Sequence, residues 1–375
     1  MIDLIIFHQN MVIGGVEKVT LNLLKNLDRK KFRIKLVLVN NEGELLSDIP
    51  KDIEVIFLLD KKIKKSNIFS KYLNYIYEII KIKIKIKKVL SENKGLFLIM
   101  NSRNLRLNLC LKSYKNKKIG WIHGNILNDK GTILEKINYK LFKEYNIIYN
   151  VSKEGKEDFD KKFKYLKEKS KYIYNSFDIN EIKQKSNEPF DKIREKYIIA
   201  VGRLMEFEKG YDILIESIRL LKKEGINKKL YILGDGVDRE KIQKKIIEFN
   251  LKENIQIMGF EDNPYKWMRN AELLILSSRG EGLPTVLIEA LICKVPIIST
   301  DCKCGPKEIL ANGKYGVLVP VGDVDTLKDE IKKIISNKEL QNQMREKSGE
   351  RGADFSNEKI INKLEKEIIL LQKNI

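Results

Sequence analysis

The sequence predicts an α/β protein with two successive doubly wound, Rossmann-like domains. Its 375 residues suffice for two domains of roughly 100–200 residues each. Short apolar runs alternate with longer amphipathic segments, which is the pattern of parallel strands covered by helices. The alternation restarts after Ser186-Asn187-Glu188-Pro189. We therefore expect one domain over residues 1–178 and a second over residues 179–355.

In the first half, apolar runs predict seven strands and amphipathic segments predict five helices. The strands are expected near residues 2–8, 33–39, 53–58, 96–100, 118–122, 147–150 and 171–174. The helices are expected near residues 16–27, 65–92, 103–113, 132–144 and 152–164.

The second half repeats this alternation. Strands are expected near residues 197–201, 229–233, 254–258, 273–276, 296–299 and 316–319. Helices are expected near residues 210–224, 238–249 and 284–293. Ligands of such sheets bind outside the carboxyl ends of the strands, so we expect the functional residues there.

The segment 65–92 is ambiguous because Lys and Ile alternate within it, as they would in a strand. A helix is favoured by the three- and four-residue spacing of Tyr72, Ile76, Ile79, Ile82, Ile86 and Val89, which would form its buried face. The other face would carry Lys81, Lys85 and Lys88 around an exposed Ile84, which suits an anionic bilayer. An ordinary solvated lysine face is the alternative.

The net charge of +20 is unevenly distributed. Residues 1–180 contain 37 basic and 20 acidic residues, whereas residues 181–375 contain 35 and 32. A basic first half suits an anionic partner such as a membrane surface. The 60 Lys and 12 Arg are also what an AT-rich genome would encode without selection for charge. Nucleic-acid binding is not expected, because no known module is present and the Arg residues are not clustered.

Composition also bears on the expected compartment. No stretch approaches the ~18 consecutive apolar residues of a membrane-spanning helix, and the amino terminus does not resemble a secretory signal. The four Cys residues lack the spacing of a disulfide framework or a zinc site. We therefore expect a cytoplasmic protein with reduced thiols.

Glycines separate the first predicted strand from the helix that follows it. Gly14 and Gly15 stand just before Val16, at the predicted helix start. Backbone N–H groups at such a position can bind a phosphate, with the helix dipole adding to the attraction. A turn that requires a positive φ is the alternative.

The corresponding loop of the second half contains two cations. Gly202 and Arg203 follow the strand expected at 197–201, and Lys209 stands six residues further on. Arg offers forked contacts and Lys a point charge, so the two are suited to a diphosphate. A solvated loop pair is the alternative.

The most specific stretch is Glu281-Gly282-Leu283-Pro284-Thr285-Val286-Leu287-Ile288-Glu289, directly after the strand expected at 273–276. Pro284 is compatible with the first turn of a helix, where its missing N–H is not needed. Free amides between Leu283 and Val286 would bind a phosphate. The carboxylates of Glu281 and Glu289 would bind hydroxyls of a sugar or ribose.

The motifs GGVEKV, VGRL with EKG, ILGDG and EGLPTVLIEA occur in this order. Together they resemble the retaining nucleotide-sugar glycosyltransferases of family 4, which have the GT-B fold, and the resemblance covers nearly the whole chain. It implies two Rossmann-like domains facing a central cleft, with the acceptor bound by the first domain and the donor by the second. It also implies that the last helix, within 356–375, packs back on the first domain.

The resemblance implies roles for individual residues. Arg203 and Lys209 would hold the donor diphosphate, and Glu289 would hold the ribose hydroxyls. Glu281 would contact the transferred sugar, and Gly15 would close on the phosphate from the opposite domain.

His123, after the strand expected at 118–122, stands where the family often has an active-site histidine. His8 has no matched role and is expected to be structural, and segment 96–104 lacks a histidine that many relatives carry. No catalytic metal or other cofactor is expected, since Asp323-Val324-Asp325 precedes a helix and is interpreted as its cap.

The sequence thus predicts transfer of a sugar, with retained configuration, from a nucleoside-diphosphate donor, UDP being expected. Arg203, Lys209 and the amides near Thr285 would stabilise the leaving diphosphate. The acceptor would be a glycan or a polyprenyl-linked molecule of cell-surface assembly, met at the inner face of the plasma membrane. The alternatives are a GT-B nucleotide-sugar epimerase and a non-catalytic basic protein that binds membranes or nucleic acid.

Overall fold

The structure is a computed structural model that describes residues 1–59, 68–90, 95–124, 126, 131–193 and 195–373. It comprises two compact units: Met1–Phe177 with Asn357–Ile375, and Asp178–Ser356. The division falls within one residue of the predicted boundary. The acceptor and donor roles expected of the two domains stay predictions.

The first unit contains a parallel sheet of seven strands in the order β3-β2-β1-β4-β5-β6-β7. The strands are β1 (Ile2–His8), β2 (Phe32–Asn40), β3 (Glu54–Leu59), β4 (Leu96–Ile99), β5 (Lys118–Ile122), β6 (Ile147–Asn150) and β7 (Ser170–Tyr172). The helices between them are α1 (Gly15–Asn26), α2 (Ile68–Leu90), α3 (Leu105–Leu111), α4 (Ile133–Leu141) and α5 (Lys153–Lys162).

The second unit contains a parallel sheet of six strands in the order β10-β9-β8-β11-β12-β13. The strands are β8 (Tyr197–Val201), β9 (Lys229–Leu233), β10 (Ile255–Gly259), β11 (Leu273–Leu276), β12 (Ile297–Thr300) and β13 (Val317–Val319). The helices are α6 (Ile179–Ser186), α7 (Glu206–Lys209), α8 (Tyr211–Lys223), α9 (Arg239–Glu248), α10 (Pro264–Asn270), α11 (Thr285–Ile292), α12 (Pro306–Ile309), α13 (Val324–Ser336) and α14 (Lys338–Gly352). The predicted fold class, two Rossmann-like parallel sheets, is confirmed.

The closing helix α15 (Asn357–Lys373) belongs to the first unit although it follows the second in sequence. The Glu365 carboxylate accepts a hydrogen bond from the Asp28 backbone N–H at 2.8 Å. The Tyr149 hydroxyl donates to Glu367 at 2.7 Å. These contacts attach both ends of the chain to one sheet.

The order of strands reverses direction at one point in each sheet. In the first unit this point lies between β1 and β4, and in the second between β8 and β11. The loops after the two neighbouring strands diverge there, which opens a crevice at their carboxyl ends. Three of the four sequence motifs occupy these crevice loops, after β1, β8 and β11, whereas ILGDG follows β9.

The helical interpretation of residues 65–92 is confirmed for Ile68–Leu90, and the remaining positions lie outside the described residues. Ile82 and Ile86 are fully buried, with Ile79 and Val89 partly buried beside them. Ile76 was expected on this face, but it is 39% exposed. A turn of about 100° per residue places Ile76 in a different row from Ile79, Ile82 and Ile86. The Tyr72 side chain lies outside the described residues.

The outward face of α2 also differs from the expected lysine face. Ile84 is 65% exposed, as predicted, and Lys81 and Lys88 are exposed. Lys85 is half-buried, and its ammonium group donates to the Phe57 carbonyl oxygen at 3.4 Å. Lys85 therefore does not share the exposure of the other two lysines. None of the described helices is both long enough and apolar enough to cross a membrane.

Candidate active site

The loop after β8 is held by close backbone packing against the loop after β9. Gly234 has a φ of +136°, and a Cβ there would overlap the Gly202 carbonyl oxygen. A Cβ on Gly236 would lie 2.5 Å from the Leu204 carbonyl oxygen. The glycines of the ILGDG motif therefore allow the loop after β9 to touch the crevice loop after β8. Arg203 lies between the two contacted residues, with its side chain exposed.

Lys209 and Glu281 meet at the reversal point of the second sheet. The Lys209 Nζ lies 2.7 Å from the Glu281 Oε1, and the Ser278 hydroxyl donates to the same oxygen at 2.6 Å. Both charged side chains are largely buried. Lys209 is therefore a fixed group in the crevice and not the solvated loop residue of the alternative interpretation. The two residues come from the loops after β8 and β11, as predicted for a shared site.

Further contacts, which the sequence analysis missed, fix the backbone around Lys209. Gly210 has a φ of +64°, and a Cβ there would overlap the Ser277 carbonyl oxygen. The Ser277 hydroxyl donates to the Lys209 carbonyl at 2.9 Å. Arg279 donates from its backbone N–H to the Glu208 carbonyl at 2.9 Å. Arg279 also pairs with Asp212 through two hydrogen bonds of 2.7 and 2.6 Å.

The amino end of α11 has the predicted position, shifted by one residue. Pro284 is the N-cap, so the helix begins at Thr285 and not with Pro284 in its first turn. The N–H of Leu287 donates to the Pro284 carbonyl at 3.1 Å. The first-turn amides of Thr285 and Val286 have no intrahelical acceptor, and the helix dipole is positive here. The position suits an anion, as expected from the sequence.

The turn before α11, which contains Gly282 and the buried Leu283, packs against the loop after β12. Gly305 has a φ of +107°, and a Cβ there would clash with the Pro284 ring. The Glu281 N–H donates to the Lys303 carbonyl at 3.4 Å. The sequence analysis did not single out Gly305. Its residue type, a glycine in the loop after an apolar strand, was the one signal that the sequence offered.

Glu289 lies on the buried side of α11. Burial, and then the charge of Glu289, raise the pKa of Tyr265. The same two causes raise the pKa of the Cys293 thiol. A carboxylate whose charge acts on a buried phenol and a buried thiol stands in a desolvated environment, where a hydroxyl donor from a ligand would be favourable.

His123 directly follows β5 at the carboxyl edge of the first sheet. Its ring stacks on Trp121 with centroids 5.7 Å apart, and its Nε2 is buried without a hydrogen-bond partner among the described residues. Burial, and then the charge of His8, lower the pKa of His123 to about 3, although a hydrogen bond with the Met100 backbone opposes the shift. The imidazole is therefore neutral near pH 7.

His8 ends β1, a central strand of the sheet, and it is buried. Its Nε2 lies 3.4 Å from the Glu17 Oε1, on the first turn of α1. Gly14 is extended, with a φ of −166°, and Gly15 is absent from the positive-φ glycines. A Cβ on Gly15 would meet nothing within 4 Å. The turn alternative is thus wrong, and the space at Gly15 is compatible with close approach of a ligand.

Asp323 caps α13, as predicted: its side chain accepts from the Thr326 N–H at 3.0 Å. Among the described residues, no group of three or more His, Cys, Asp or Glu side chains is placed to hold a metal ion.

The two units are Rossmann-like, and the second places a Lys–Glu pair and a helix start that suits a phosphate in loops at the carboxyl ends of its strands. Residues 178–351 match the family described as "Glycosyl transferases group 1". The chain is 33% identical over 360 residues to the uncharacterized glycosyltransferase MJ1059 of Methanocaldococcus jannaschii, covering 83% of this chain and 86% of that protein. The chain therefore belongs to the glycosyl transferases group 1.

A second relative has an assigned reaction. The chain is 30% identical over 366 residues to a Campylobacter jejuni protein, covering 95% and 96% of the two chains. That protein is named N-acetylgalactosamine-N,N'-diacetylbacillosaminyl-diphospho-undecaprenol 4-alpha-N-acetylgalactosaminyltransferase.

Solved structures establish the fold type. Anabaena Alr3699/HepE, solved in complex with UDP and glucose, superposes with a TM-score of 0.80 at 17% identity over all of both chains. S. aureus TarM superposes with a TM-score of 0.80 at 15% identity, covering 98% of this chain and 100% of the other. Both likenesses concern the fold, which is GT-B.

Proposed function

We propose that this protein is a retaining glycosyltransferase of family 4 that moves a hexosyl or N-acetylhexosaminyl group from a UDP-sugar to a lipid-linked or glycan acceptor. The observation that carries the proposal is the 2.7 Å Lys209–Glu281 pair in the crevice between β8 and β11. In this pair a cation that suits a diphosphate lies beside a carboxylate that suits sugar hydroxyls. The names of the Campylobacter relative and of the UDP-bound Anabaena structure support the donor and acceptor classes.

The donor diphosphate would be held by Arg203, Lys209 and the first-turn amides of α11, at Thr285 and Val286. Negative charge develops on the diphosphate as the bond to the sugar breaks, and fixed donors stabilise it in the transition state. Because the Arg279 and Ser277 contacts already fix the Lys209 backbone, little reorganisation is needed when the donor binds. We propose on these grounds that the reaction needs no metal ion.

Glu281 would take a second role once the donor is bound. Its Oε1 accepts from both Lys209 and Ser278, which leaves Oε2 for a sugar hydroxyl. A carboxylate beside the reacting sugar also favours the positive charge that develops there. Glu289, buried on α11, would accept from the ribose hydroxyls.

In the first unit, the neutral His123 would hydrogen-bond a substrate hydroxyl through its unpaired Nε2. Gly15 would let the backbone at the start of α1 approach a phosphate, since no atom lies within 4 Å of its Cβ position, whereas the Glu17 carboxylate occupies the corresponding space at Gly14.

We further propose that the protein works as a peripheral protein on the inner face of the plasma membrane, through α2. Ile76, Ile80 and Ile84 follow one another at four-residue steps and are all exposed. Lys81 and Lys88 are exposed on one side of this row, with Lys85 partly buried behind them. An apolar row bordered by lysines fits the boundary between lipid chains and anionic headgroups. Such a surface would bring the enzyme to a membrane carrier on which a cell-surface polysaccharide or glycoconjugate is assembled.

The test is product analysis with a panel of UDP-sugars and a polyprenyl-diphosphate-linked sugar acceptor. Mass spectrometry should find one added hexose or N-acetylhexosamine, with UDP released in equal amount, and NMR should show the donor's anomeric configuration retained. An epimerase would instead convert a UDP-sugar into its isomer without an acceptor. Absence of glycosyl transfer across the panel, with isomerised donor present, would reject the proposal.

A further inference from the structure

Two cations lie together at the carboxyl edge of the first sheet. Arg103 is in the loop after β4, and its Nη1 lies 3.2 Å from the point that a Cβ on Gly124 would occupy. Lys162 ends α5, and its Nζ donates to the Ile126 carbonyl at 2.8 Å. Gly124 and Ile126 follow His123 within three residues. Arg103 and Lys162 therefore both stand beside the segment that begins at His123.

Burial acts on the pKa of both cations. Burial lowers the pKa of Arg103, and the charge of Glu135 opposes this shift. Burial also lowers the pKa of Lys162, which Glu135 raises and the charge of Arg103 lowers further. Glu135 itself accepts from the Thr132 N–H at 2.7 Å in a capping box. Two cations close to one another favour the binding of an anion.

An exposed apolar surface begins next to these charges. The Lys162 ammonium lies over the ring of Tyr139, 4.9 Å from its centroid, and Tyr139 is a residue of α4, so this helix stands beside the cation. Ile133, Leu134 and Ile137 of α4 are 77%, 58% and 40% exposed. Large apolar side chains clustered on one exposed turn are typical of a binding surface. Cations and apolar side chains side by side complement a molecule that is both anionic and apolar.

We infer that this corner of the first unit binds the acceptor and that the acceptor is a lipid carrying a phosphate or diphosphate. The phosphate oxygens bind Arg103 and Lys162, and the hydrocarbon chain lies against Ile133, Leu134 and Ile137. Bidentate contacts from Arg to phosphate, supplemented by a Lys point charge, suit this headgroup. That the bound lipid is the acceptor of the reaction rests on the proposed function. The binding site itself is defined by these five residues.

Direct binding to the full chain tests the inference without knowledge of the sugars. Three probes separate the contributions: farnesyl diphosphate has both parts, farnesol has the chain alone, and inorganic pyrophosphate has the charge alone. Isothermal titration should give the tightest binding for farnesyl diphosphate. Arg103→Gln and Lys162→Gln should each weaken that binding about tenfold, as expected for loss of a charge-assisted hydrogen bond. Neither change should affect farnesol.

The apolar surface has its own variant. Ile133→Ser with Leu134→Ser should weaken farnesyl diphosphate binding while leaving pyrophosphate binding unchanged. Lys140→Gln, at another exposed lysine of α4, is the matched control and should change nothing. Equal affinity for pyrophosphate and farnesyl diphosphate, with no effect of the serine variants, would assign the cations to a free phosphate and overturn the lipid assignment. Unchanged binding in both glutamine variants would overturn the site.

UDP binding, measured on the same samples, separates this inference from the proposed function. UDP affinity should be identical in the wild type, Arg103→Gln and Lys162→Gln, because Arg203, Lys209, Glu289 and the first-turn amides of α11 lie in the second unit and neither substitution alters the backbone at Gly15. If UDP bound to none of the three proteins while farnesyl diphosphate behaved as expected, the donor assignment would be wrong and the lipid site would be supported.

Discussion

The guanidinium of Arg279 forms a two-point ion pair with the Asp212 carboxylate, although the residues are 67 positions apart in sequence. Arg279 also donates to the Phe207 carbonyl at 2.7 Å, and its guanidinium lies over the Phe207 ring. The pair ties the loop after β11 to both sides of Lys209. Arg279 is thus placed to set the position of the Lys209 ammonium relative to Glu281.

We predict that Arg279→Lys lowers kcat/KM for the donor about tenfold or more, because a lysine cannot reproduce the two parallel hydrogen bonds to Asp212. Hydrogen exchange of the α7 amides should also become faster. Steady-state kinetics and exchange mass spectrometry measure the two effects. In a Lys209→Ala background the same change should have little further effect on kcat/KM, since Arg279 acts through Lys209.

Arg219→Lys is the matched control for this prediction. Arg219 also makes two hydrogen bonds to one carboxylate, that of Glu216, and its guanidinium lies over Phe249, yet it lies on α8 away from the crevice loops. It should leave kcat/KM unchanged. Equal losses from Arg219→Lys and Arg279→Lys would show that Arg279 contributes general stability and does not position Lys209.

Substitutions of the two donor-site cations and of the two glutamates should have distinguishable kinetic effects. Arg203→Ala and Lys209→Ala should each lower kcat/KM for the donor by an amount equivalent to ~1.5–3 kcal/mol, the size of a charge-assisted hydrogen bond. Glu289→Gln should mainly raise the apparent KM for the donor, whereas Glu281→Gln should mainly lower kcat, because only Glu281 would touch the reacting sugar. If both glutamine variants change only the KM for the donor, Glu281 does not contact the reacting sugar.

Substitutions at two glycines should distinguish a requirement for folding, at Gly210, from a requirement for activity, at Gly15. Gly210→Ala should destabilise the second unit, because its Cβ would overlap the Ser277 carbonyl at a φ of +64°. Gly15→Ala should leave the urea midpoint unchanged, since nothing lies within 4 Å of its Cβ position. If Gly15 is where backbone meets a phosphate, this second variant should nevertheless lose activity. Full activity of Gly15→Ala would contradict the phosphate role.

Much of the fold follows from the sequence because each strand of a doubly covered parallel sheet is a nearly continuous apolar run. The four residues of β11, Leu273–Leu276, are all buried and all apolar, and the strand was expected at the same positions. The meeting of Lys209 and Glu281 was also predictable, because each follows an apolar strand and the carboxyl ends of parallel strands lie at one edge of the sheet. Lys209 and Glu281 were expected in one site, and the structure brings them together.

What escaped prediction depends on partners that are distant in sequence. Arg279 and Asp212 have no spacing that indicates their contact, and neither stood out by residue type. Lys85 was expected to be exposed, but the carbonyl of Phe57 lies within its reach. Helix α14 is polar along most of its length, so its apolar periodicity is too weak to indicate a helix.

The depressed pKa of His123, about 3, makes a pH-dependent contribution to stability. Between pH 3 and ~6.5 the unfolded chain binds a proton at this residue and the folded chain does not, so folding is favoured by rising pH. Stability should therefore fall as pH drops below ~6.5, by at most ~1.4 kcal/mol per pH unit from this group. In His123→Asn that part of the slope should vanish. Urea unfolding at several pH values measures it; parallel curves for the two proteins would contradict the burial of a neutral imidazole.

The last prediction concerns membrane binding through α2, which should have an electrostatic and an apolar part. Lys81→Gln with Lys88→Gln should weaken sedimentation with anionic vesicles by ~1 kcal/mol per lysine at low salt. The effect should shrink at 1 M salt, where the Debye length falls from ~10 Å at 0.1 M to ~3 Å.

Ile80→Ser with Ile84→Ser should weaken vesicle binding at both salt concentrations, because burial of these exposed side chains in lipid does not depend on charge. Ile247→Ser, at an exposed apolar residue of α9 in the second unit, is the control and should leave binding unchanged. UDP binding should be the same in all variants, since none alters the crevice loops. If neither pair of substitutions changes vesicle binding, α2 is not the membrane-binding surface. The lysines would then be explained by genome composition alone.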